Sequence, residues 1–462
     1  MTAQGPMPFA TDMRESTEVR TLILGLGTTG LSCLRYLASK GLPLAVMDSR
    51  EAPPGLEEAR REIPDLDLYL GDFDPEVIRT AQRLIVSPGV SVREPAIASA
   101  AARGVPVIGD IELFARAARA PVAAITGSNG KSTVTTLLGQ MAHLAGVRVA
   151  VGGNLGRPAL DLLDDGVELY VLELSSFQLE STRSLQAKVA VVLNVTPDHM
   201  DRYDSFADYA AAKAHILEGA RTAVLNWDDP LVRTMAGMAG QDIGFTLGAP
   251  EEASDFGLVE QGGQTWLARG RSPLLPTCEI AMRGRHNLSN ALAALAMGQA
   301  CGLPEIAMLE ALRTFRGLPH RTVLVSRKGG IEWYDDSKGT NPGATIAALE
   351  GLIDPSGSAR AVLIAGGDCK GADFAPLIPV VERAARALVL IGRDAPMIER
   401  ELSGRAEILH ARDMEDAVCL ALQAAQPGDC VLLSPACASF DMFESYAHRG
   451  RAFAAAVVGL EL

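Results

Sequence analysis

Two glycine-rich segments of this 462-residue chain carry residue types that bind phosphate groups. The more specific one is Thr126-Gly127-Ser128-Asn129-Gly130-Lys131-Ser132-Thr133, which lies between an apolar run and a helical pattern. In such a loop, backbone N–H groups surround phosphate oxygens, the lysine neutralises β/γ charge, and a hydroxyl from Ser132 or Thr133 reaches Mg²⁺. Although Ile125 stands where the usual pattern has its first glycine, we predict a nucleotide site. The alternative is a glycine-rich turn with a solvated lysine.

The second segment is Gly25-Leu26-Gly27-Thr28-Thr29-Gly30, which follows an apolar run and opens a helical pattern. Asp48 follows the next apolar run at about the spacing of a ribose-binding acid. A dinucleotide site is one interpretation, but the same backbone geometry serves any nucleoside diphosphate, and a purely structural turn is a third. Two phosphate loops in separate domains indicate a protein that joins two phosphorylated ligands, whereas hydride transfer needs no second loop.

Two polar residues at the ends of apolar runs are candidate metal ligands. Glu173 ends the run 169–172, and His199 follows the run 189–195. The carboxyl ends of parallel strands face the ligand crevice, and both runs lie in the block that holds the phosphate loop. We therefore expect Glu173 and His199 to bind Mg²⁺ rather than to be structural. Lys213 lies in a helical stretch of small residues, and its spacing alone predicts a solvated side chain.

The motifs together resemble those of the Mur ligases, nearest to the branch that adds D-glutamate to UDP-N-acetylmuramoyl-L-alanine. The matching stretches cover nearly the whole chain in order: 127–133, 152–156, 172–180, 194–203, 284–290, 317–321, 335–341 and 434–439. The resemblance implies an ATP-dependent amide ligase of peptidoglycan precursor synthesis that works through an acyl phosphate. Two alternatives stay open, namely another Mur or folylpolyglutamate-type amide ligase and a dinucleotide-binding oxidoreductase.

The resemblance also implies a role for each matching residue. The catalytic group would be Lys131, Glu173, His199 and Lys213, with Mg²⁺ held by Ser132, Glu173, His199 and a carbamylated Lys213. ATP would lie on the phosphate loop and on Asn287, Asn290, Arg321 and Asp336. The UDP-sugar would contact Thr29, Asp48, Ser49, Arg50, Ser87 and Asn154. Glutamate would lie among Lys338, Thr340, Lys370, Ser439 and Tyr446, the last of which departs from the family's phenylalanine.

The elements that must position these residues are strands and helices in alternation. Apolar runs alternate with helical patterns from end to end, which predicts an α/β fold with mainly parallel sheets. We expect three domains: a Rossmann-like UDP-sugar domain at 1–109, a central P-loop ATPase-like domain at 110–317, and a Rossmann-like glutamate domain at 318–462. The uncharged run 287–304 predicts a buried helix rather than a membrane span.

Composition excludes several classes of protein. The formal net charge of −14 argues against a nucleic-acid binder, which needs basic stretches for phosphate contacts. Seven cysteines without CxxC spacing indicate a reducing compartment rather than a disulfide framework or a zinc site. The first twenty residues contain no apolar core of the kind found in signal peptides. We expect a cytoplasmic monomer that acts on small molecules and does not insert into membranes.

Overall fold

The computed structural model describes residues 21–282, 284–353 and 359–460, so the expectation about the first twenty residues lies outside the described part. Three sheets follow one another along these ranges, each with helices packed against it. This confirms the predicted α/β class. Most strand pairs are parallel, because helices connect successive strands and return the chain to the same edge.

The first sheet has the strand order β3-β2-β1-β4-β5, and its registered pairs are parallel. Its strands are β1 (Thr21–Leu24), β2 (Leu44–Asp48), β3 (Asp67–Leu70), β4 (Arg83–Val86) and β5 (Val107–Ile108). Its helices are α1 (Thr28–Ala38), α2 (Leu56–Glu62), α3 (Pro75–Thr80) and α4 (Pro95–Ala102). Successive strands are added on one side of β1 up to β3 and on its other side from β4 onward, and ligands of open α/β sheets bind where the strand order switches in this way.

The central sheet has the order β14-β13-β12-β11-β10-β9-β6-β8-β7. Its strands are β6 (Val122–Thr126), β7 (Val149–Gly153), β8 (Leu169–Glu173), β9 (Val189–Val192), β10 (Thr222–Asn226), β11 (Asp242–Phe245), β12 (Phe256–Gln261), β13 (Gln264–Arg269) and β14 (Ser272–Pro276). Its helices are α5 (Asp110–Ala117), α6 (Lys131–Leu144), α7 (Ser176–Glu180), α8 (Phe206–Ala214), α9 (Pro230–Arg233), α10 (Arg285–Cys301) and α11 (Glu305–Thr314).

The antiparallel strands β12 to β14 at the edge of this sheet were not predicted. Their residues are partly exposed, so they lack the continuous apolar runs of the buried strands. The Gly262-Gly263 pair between β12 and β13 is a hairpin signal that could have revealed them, since both residues have positive φ.

The third sheet has the order β15-β16-β20-β17-β18-β19, with β15 antiparallel to β16. Its strands are β15 (Val323–Lys328), β16 (Ile331–Asp335), β17 (Ala361–Gly366), β18 (Ala385–Ile391), β19 (Glu407–His410) and β20 (Cys430–Leu433). Its helices are α12 (Pro342–Leu352), α13 (Ile378–Ala384), α14 (Ala395–Leu402), α15 (Met414–Ala424) and α16 (Tyr446–Gly459).

Helix α10 confirms the predicted buried helix. A continuous buried run, 290–298, packs into the same apolar cluster as α6. Across residues 21–282, 284–353 and 359–460, no helix combines the length and apolar character that crossing a bilayer demands. Over 291–298 the helix has apolar or small residues on all sides, as expected of a segment that protein surrounds.

The three units contact one another directly. One apolar cluster runs from the first sheet into the central one, and Ser32 Oγ of α1 donates to Asp161 Oδ1 of the central unit at 2.6 Å. The third unit reaches the central one through polar contacts, among them Arg321 Nη2 donating to Ser132 Oγ at 3.1 Å. The carboxyl ends of β1 and β7 line one cleft, and the loop after β6 lines a second.

Candidate ligand-binding and catalytic site

The phosphate loop joins the buried strand β6 to helix α6. Gly130 has φ 84°, and a Cβ there would overlap Asn290 Oδ1, so a side chain would meet both backbone strain and a steric clash. The loop folds around the Lys131 ammonium, which donates to the Gly127 carbonyl at 2.8 Å and to the Ser128 carbonyl at 3.0 Å. The loop and the N-terminus of α6 together form the kind of cradle that binds phosphate.

A second lysine lies beneath the same loop. Lys213 Nζ donates to the Gly127 carbonyl at 3.0 Å, and its ammonium lies 4.4 Å from the centre of the Tyr209 ring. Lys213 is only 2% exposed, so the expectation from spacing alone, that this lysine is solvated, is wrong. Helix α8 packs Tyr209 and Lys213, one turn apart, onto the underside of the loop, and spacing cannot reveal which face of a helix meets another element.

Burial changes the proton affinity of both lysines. It lowers the pKa of Lys213 well below the ordinary lysine value, and the charge of Lys131 lowers it further. Burial also lowers the pKa of Lys131, against the attraction of Glu173 and Asp198. The ammonium groups of Lys131 and Lys213 both donate to the Gly127 carbonyl, so two like charges are held close together with little solvent. Of the two, Lys213 has the stronger tendency to lose its proton.

Glu173 has an incompletely satisfied carboxylate at the end of β8. Its Oε1 accepts from Asn154 Nδ2 at 2.7 Å, whereas its buried Oε2 finds no hydrogen-bond partner among the described residues. Leaving a buried polar atom unpaired costs about 1–3 kcal/mol, and more for a charged group. A bound cation at Oε2 would remove that cost.

His199 lies on the loop after β9 in a left-handed backbone conformation, with φ 58°. Its ring meets Phe177 edge-on at 4.9 Å, and its Nε2 lies 3.7 Å from Asp198 Oδ2. Burial lowers the pKa of His199, although Asp198 opposes this effect. The neutral imidazole is therefore favoured, which is the form that binds metal.

Glu173, His199 and Ser132 fit a magnesium ion that takes most of its ligands from water and from substrate phosphates. Among the residues that the structure describes, no three His, Cys, Asp or Glu side chains converge on one point. Mg²⁺ usually keeps several waters and binds one or two carboxylates plus substrate phosphates. Glu173, His199 and the Ser132 hydroxyl suit such a site, but a cationic Lys213 would repel the metal.

A cleft of about 690 Å³ lies between the central and third units, next to the phosphate loop. It is lined by Asn287, Asn290, Arg321 and Asp336, the residues assigned to ATP by resemblance. Asn290 Nδ2 donates to Asn287 Oδ1 at 3.1 Å. Burial raises the pKa of Asp336 to about 6, although Ser434 Oγ donates to its carboxylate at 2.7 Å. The tertiary structure thus brings two distant segments of the chain to one cleft.

A second cleft of about 500 Å³ opens at the reversal point of the first sheet. Its lining includes all six residues assigned to the UDP-sugar: Thr29, Asp48, Ser49, Arg50, Ser87 and Asn154. Asn154 comes from the central unit, so the first sheet alone does not complete the cleft. The glycine loop closes tightly here, since a Cβ at Gly30 would overlap the Gly25 carbonyl.

Asp48 is already engaged within the protein. Its Oδ2 accepts from the Leu26 N–H at 2.7 Å, and both oxygens accept from the Arg50 guanidinium at 2.7 and 2.8 Å. Burial would raise the pKa of Asp48, but these hydrogen bonds outweigh it and hold the pKa below its usual value. Asp48 therefore fixes the glycine loop and orients Arg50, whose side chain remains half exposed.

Four of the five residues assigned to glutamate lie on loops at the carboxyl edge of the third sheet, and the fifth, Tyr446, is the first residue of α16. Lys338 Nζ lies 3.9 Å from the centre of the Tyr446 ring, and burial lowers the pKa of Lys338 to about 8 with help from Arg321. Thr340 follows on the same loop, and its N–H donates to the Lys338 carbonyl at 2.9 Å.

Two further loops carry the other assigned residues. Ser439 is buried, whereas Lys370 is exposed and lies 6.0 Å from the Phe440 ring. These two loops pair through Asp368 and Ala438. Lys338 and Tyr446 are thus in direct contact, whereas the side chain of Lys370 is exposed to solvent.

Sequence reasoning assigned no role to three residues that organise the loop. Asn194 Oδ1 accepts from the Asn129 N–H at 2.8 Å, and the Tyr209 hydroxyl lies 3.1 Å from Ser128 Oγ. Asn341 of the third unit contacts Asn129 and Asp198. The placement of Tyr209 one helical turn before Lys213 was a usable signal, but the contact of Asn341 depends on tertiary packing alone.

Three family models match successive parts of the chain. They are described as a MurD-like N-terminal domain of Mur ligases over residues 19–109, a Mur ligase middle domain over 125–298, and a Mur ligase glutamate ligase domain over 320–437. The chain is 53% identical over 438 residues to a UDP-N-acetylmuramoylalanine–D-glutamate ligase of Nitrosococcus oceani, covering 95% of this chain and 96% of the relative. A ligase with the same description from Pseudomonas aeruginosa is 54% identical, covering 94% and 97%.

Solved structures show the same fold at much lower identity. A UDP-N-acetylmuramate-alanine ligase from Thermotoga maritima aligns with a TM-score of 0.57 and 18% identity, covering 95% of this chain and 99% of the other. A pseudomurein peptide ligase type C from Methanothermus fervidus aligns with a TM-score of 0.55 and 19% identity, covering 90% and 96%. The three family matches and the near-complete alignment to relatives at over 50% identity together show that this chain belongs to the Mur ligase family.

Proposed function

We propose that this chain joins D-glutamate to UDP-N-acetylmuramoyl-L-alanine through an acyl phosphate, with formation of ADP and phosphate, in peptidoglycan precursor synthesis. One observation carries the proposal: Asn154 lines the first cleft and donates to Glu173 beside the phosphate loop. β8, which ends at Glu173, pairs with β6, which leads into that loop. A ligand that lies in the first cleft and extends a carboxylate past Asn154 would therefore place that carboxylate next to the phosphate loop.

ATP with Mg²⁺ supplies the phosphoryl group that gives an unreactive carboxylate a good leaving group. Lys131, held inside its loop, neutralises charge that grows on the transferring group. Glu173, His199 and Ser132 are the residues of this chain that would hold the metal. Asn287, Asn290, Arg321 and Asp336 bind the remainder of the nucleotide.

We propose that the side-chain amine of Lys213 is modified to a carbamate. A neutral amine attacks CO₂, a C–N bond forms and one proton leaves, so the cation becomes an anion. The burial that depresses the pKa of Lys213 also favours the neutral amine that this step requires. An anion at this position would be attracted to Lys131 and to the metal, whereas the ammonium repels both.

The third unit supplies the amine. Lys338, Thr340, Lys370, Ser439 and Tyr446 hold the glutamate carboxylates, and closure over the central cleft excludes water while the amine attacks the acyl phosphate. The bounds 1–109, 110–317 and 318–462 are our proposal for the UDP-sugar, ATP and glutamate domains. The cytoplasmic location and the monomeric state remain predictions.

ADP release is the direct test. It should require both UDP-N-acetylmuramoyl-L-alanine and D-glutamate, and L-glutamate should not replace the D-isomer. A folylpolyglutamate-type ligase would turn over without the UDP-sugar. An oxidoreductase would bind NAD and reduce it without ADP release. ADP release that is independent of either substrate would overturn the proposal.

A further inference from the structure

Two buried thiols meet in the third unit, at the loops assigned to glutamate. Cys369 and Cys437 are 3% and 1% exposed, and their sulfur atoms lie 2.8 Å apart. Non-bonded carbon atoms, which are smaller than sulfur, usually lie about 3.5–4.0 Å apart. The structure places no disulfide between the two residues.

The backbone places the two residues opposite each other, independently of the positions of the sulfur atoms. Asp368 and Ala438 form an antiparallel bridge and exchange both hydrogen bonds, at 3.0 and 2.9 Å. The next pair along that bridge is Cys369 and Cys437. In an antiparallel arrangement, the pair that follows a doubly hydrogen-bonded pair has its Cα atoms about 4.5 Å apart and its side chains closest together. This separation lies within the range that a disulfide spans.

We propose that Cys369 and Cys437 are a modification site at which a hydroperoxide forms a disulfide that switches the ligase off. Two S–H bonds break and one S–S bond forms, while hydrogen peroxide is reduced to two molecules of water. Thiol reductants reverse the step by exchange, because a dithiol attacks the disulfide through a mixed-disulfide intermediate.

The neighbours of the pair explain why the cross-link would affect activity. Lys370 follows Cys369 directly and has φ 48°, while Ser439 lies two residues after Cys437. Both belong to the set that we assign to glutamate, so the effect on activity depends on the proposed function, whereas the cross-link does not. Forming the S–S bond draws the two sulfur atoms together and fixes the loops that must adjust around the amino acid.

Burial also determines the rate of the reaction. Contact with Cys369 and burial raise the pKa of the Cys437 thiol, so the reactive thiolate is scarce at neutral pH. The exposed cysteines Cys278 and Cys419 lie outside this pair and serve as internal references for oxidant access. We therefore expect the pair to react slowly with peroxide.

The test uses the full-length chain. It is treated with hydrogen peroxide, alkylated and digested without reductant, and the peptides are identified by mass spectrometry. We expect a peptide pair joined through Cys369 and Cys437 with the loss of two hydrogens. ADP release should fall in parallel with this product and return after dithiothreitol.

Matched variants separate the two parts of the proposal. Cys369→Ser should keep its ADP release under peroxide, whereas Cys278→Ser should lose it as the parent does. Absence of the Cys369–Cys437 peptide, while Cys278 and Cys419 are oxidised, would overturn the cross-link. A cross-linked protein with undiminished ADP release would overturn the switch. A chain without ligase activity before oxidation would instead contradict the proposed function, and the mass measurement would still test the cross-link.

Discussion

Replacing Asn341 with serine separates two roles that this side chain combines. Its Oδ1 caps helix α12 by accepting the Ala344 N–H at 2.9 Å. Its Nδ2 reaches across to the central unit and donates to Asn129 Oδ1 at 3.3 Å and to Asp198 Oδ2 at 3.2 Å. Asn129 Nδ2 returns a contact to Asn341 Oδ1 at 3.4 Å. The side chain therefore joins the third unit to the phosphate loop.

The size of the effect follows from these contacts. Hydrogen bonds between neutral groups contribute about 0.5–1.5 kcal/mol each, and bonds to a charged group somewhat more. The distances here are long, so we take about 2 kcal/mol for the three together, which is about thirtyfold in the equilibrium between closed and open units. Serine retains a capping oxygen but is too short to cross to Asn129. Alanine also loses the cap, which costs about 1 kcal/mol of stability.

The assay is ADP release at subsaturating and saturating D-glutamate, together with thermal unfolding. Asn341→Ser should lower kcat/KM for glutamate by about tenfold to thirtyfold at an unchanged unfolding temperature. Asn341→Ala should show the same kinetic loss and a lower unfolding temperature. Wild-type kinetics in the serine variant would refute the argument that this contact helps to close the units.

The other predictions concern the two clefts. Lys131→Ala should lose about two or more decades of ADP release, because its ammonium stabilises the growing phosphate charge, while calorimetry still detects binding of the UDP-sugar. Arg50→Ala should weaken that UDP-sugar binding and leave ATP affinity unchanged, and NAD should not bind to the parent; tight NAD binding would contradict the assignment of the first cleft. Lys213→Ala should abolish most activity without unfolding the protein, and acetate should partly restore it; full activity of CO₂-depleted, unmodified enzyme would exclude the carbamate. Gly130→Ala should impair ATP binding in a titration, because its Cβ would overlap Asn290 Oδ1, and normal affinity would contradict the steric argument.

The sequence by itself determined the local elements and the chemistry attached to them. Continuous apolar runs predicted strands β1, β6 and β8, since strands buried on both faces need apolar residues throughout. The glycines of the two loops predicted where the backbone turns tightly before a helix. The match to family motifs assigned six residues to the UDP-sugar, and all six line one cleft.

Only the tertiary structure decided which of these residues come into contact and which groups form hydrogen bonds with them. Spacing predicted a solvated Lys213, yet packing of α8 places it beneath the phosphate loop. Asp48 has the spacing of a ribose ligand, and the structure shows that its carboxylate also accepts hydrogen bonds from Leu26 and Arg50. The contacts of Lys213 with Gly127 and of Asp48 with Leu26 both depend on neighbours from other elements.

The same physical reason applies to the contacts between distant parts of the chain. Asn129 and Asn341 are 212 residues apart, and Cys369 and Cys437 are 68 apart. Helical and strand periodicities extend over one element, so they state which side chains share a face and not what that face packs against. Burial, pKa and hydrogen-bond partners are set by that packing, which is why the sequence determined the groups that do the chemistry and the fold determined their surroundings.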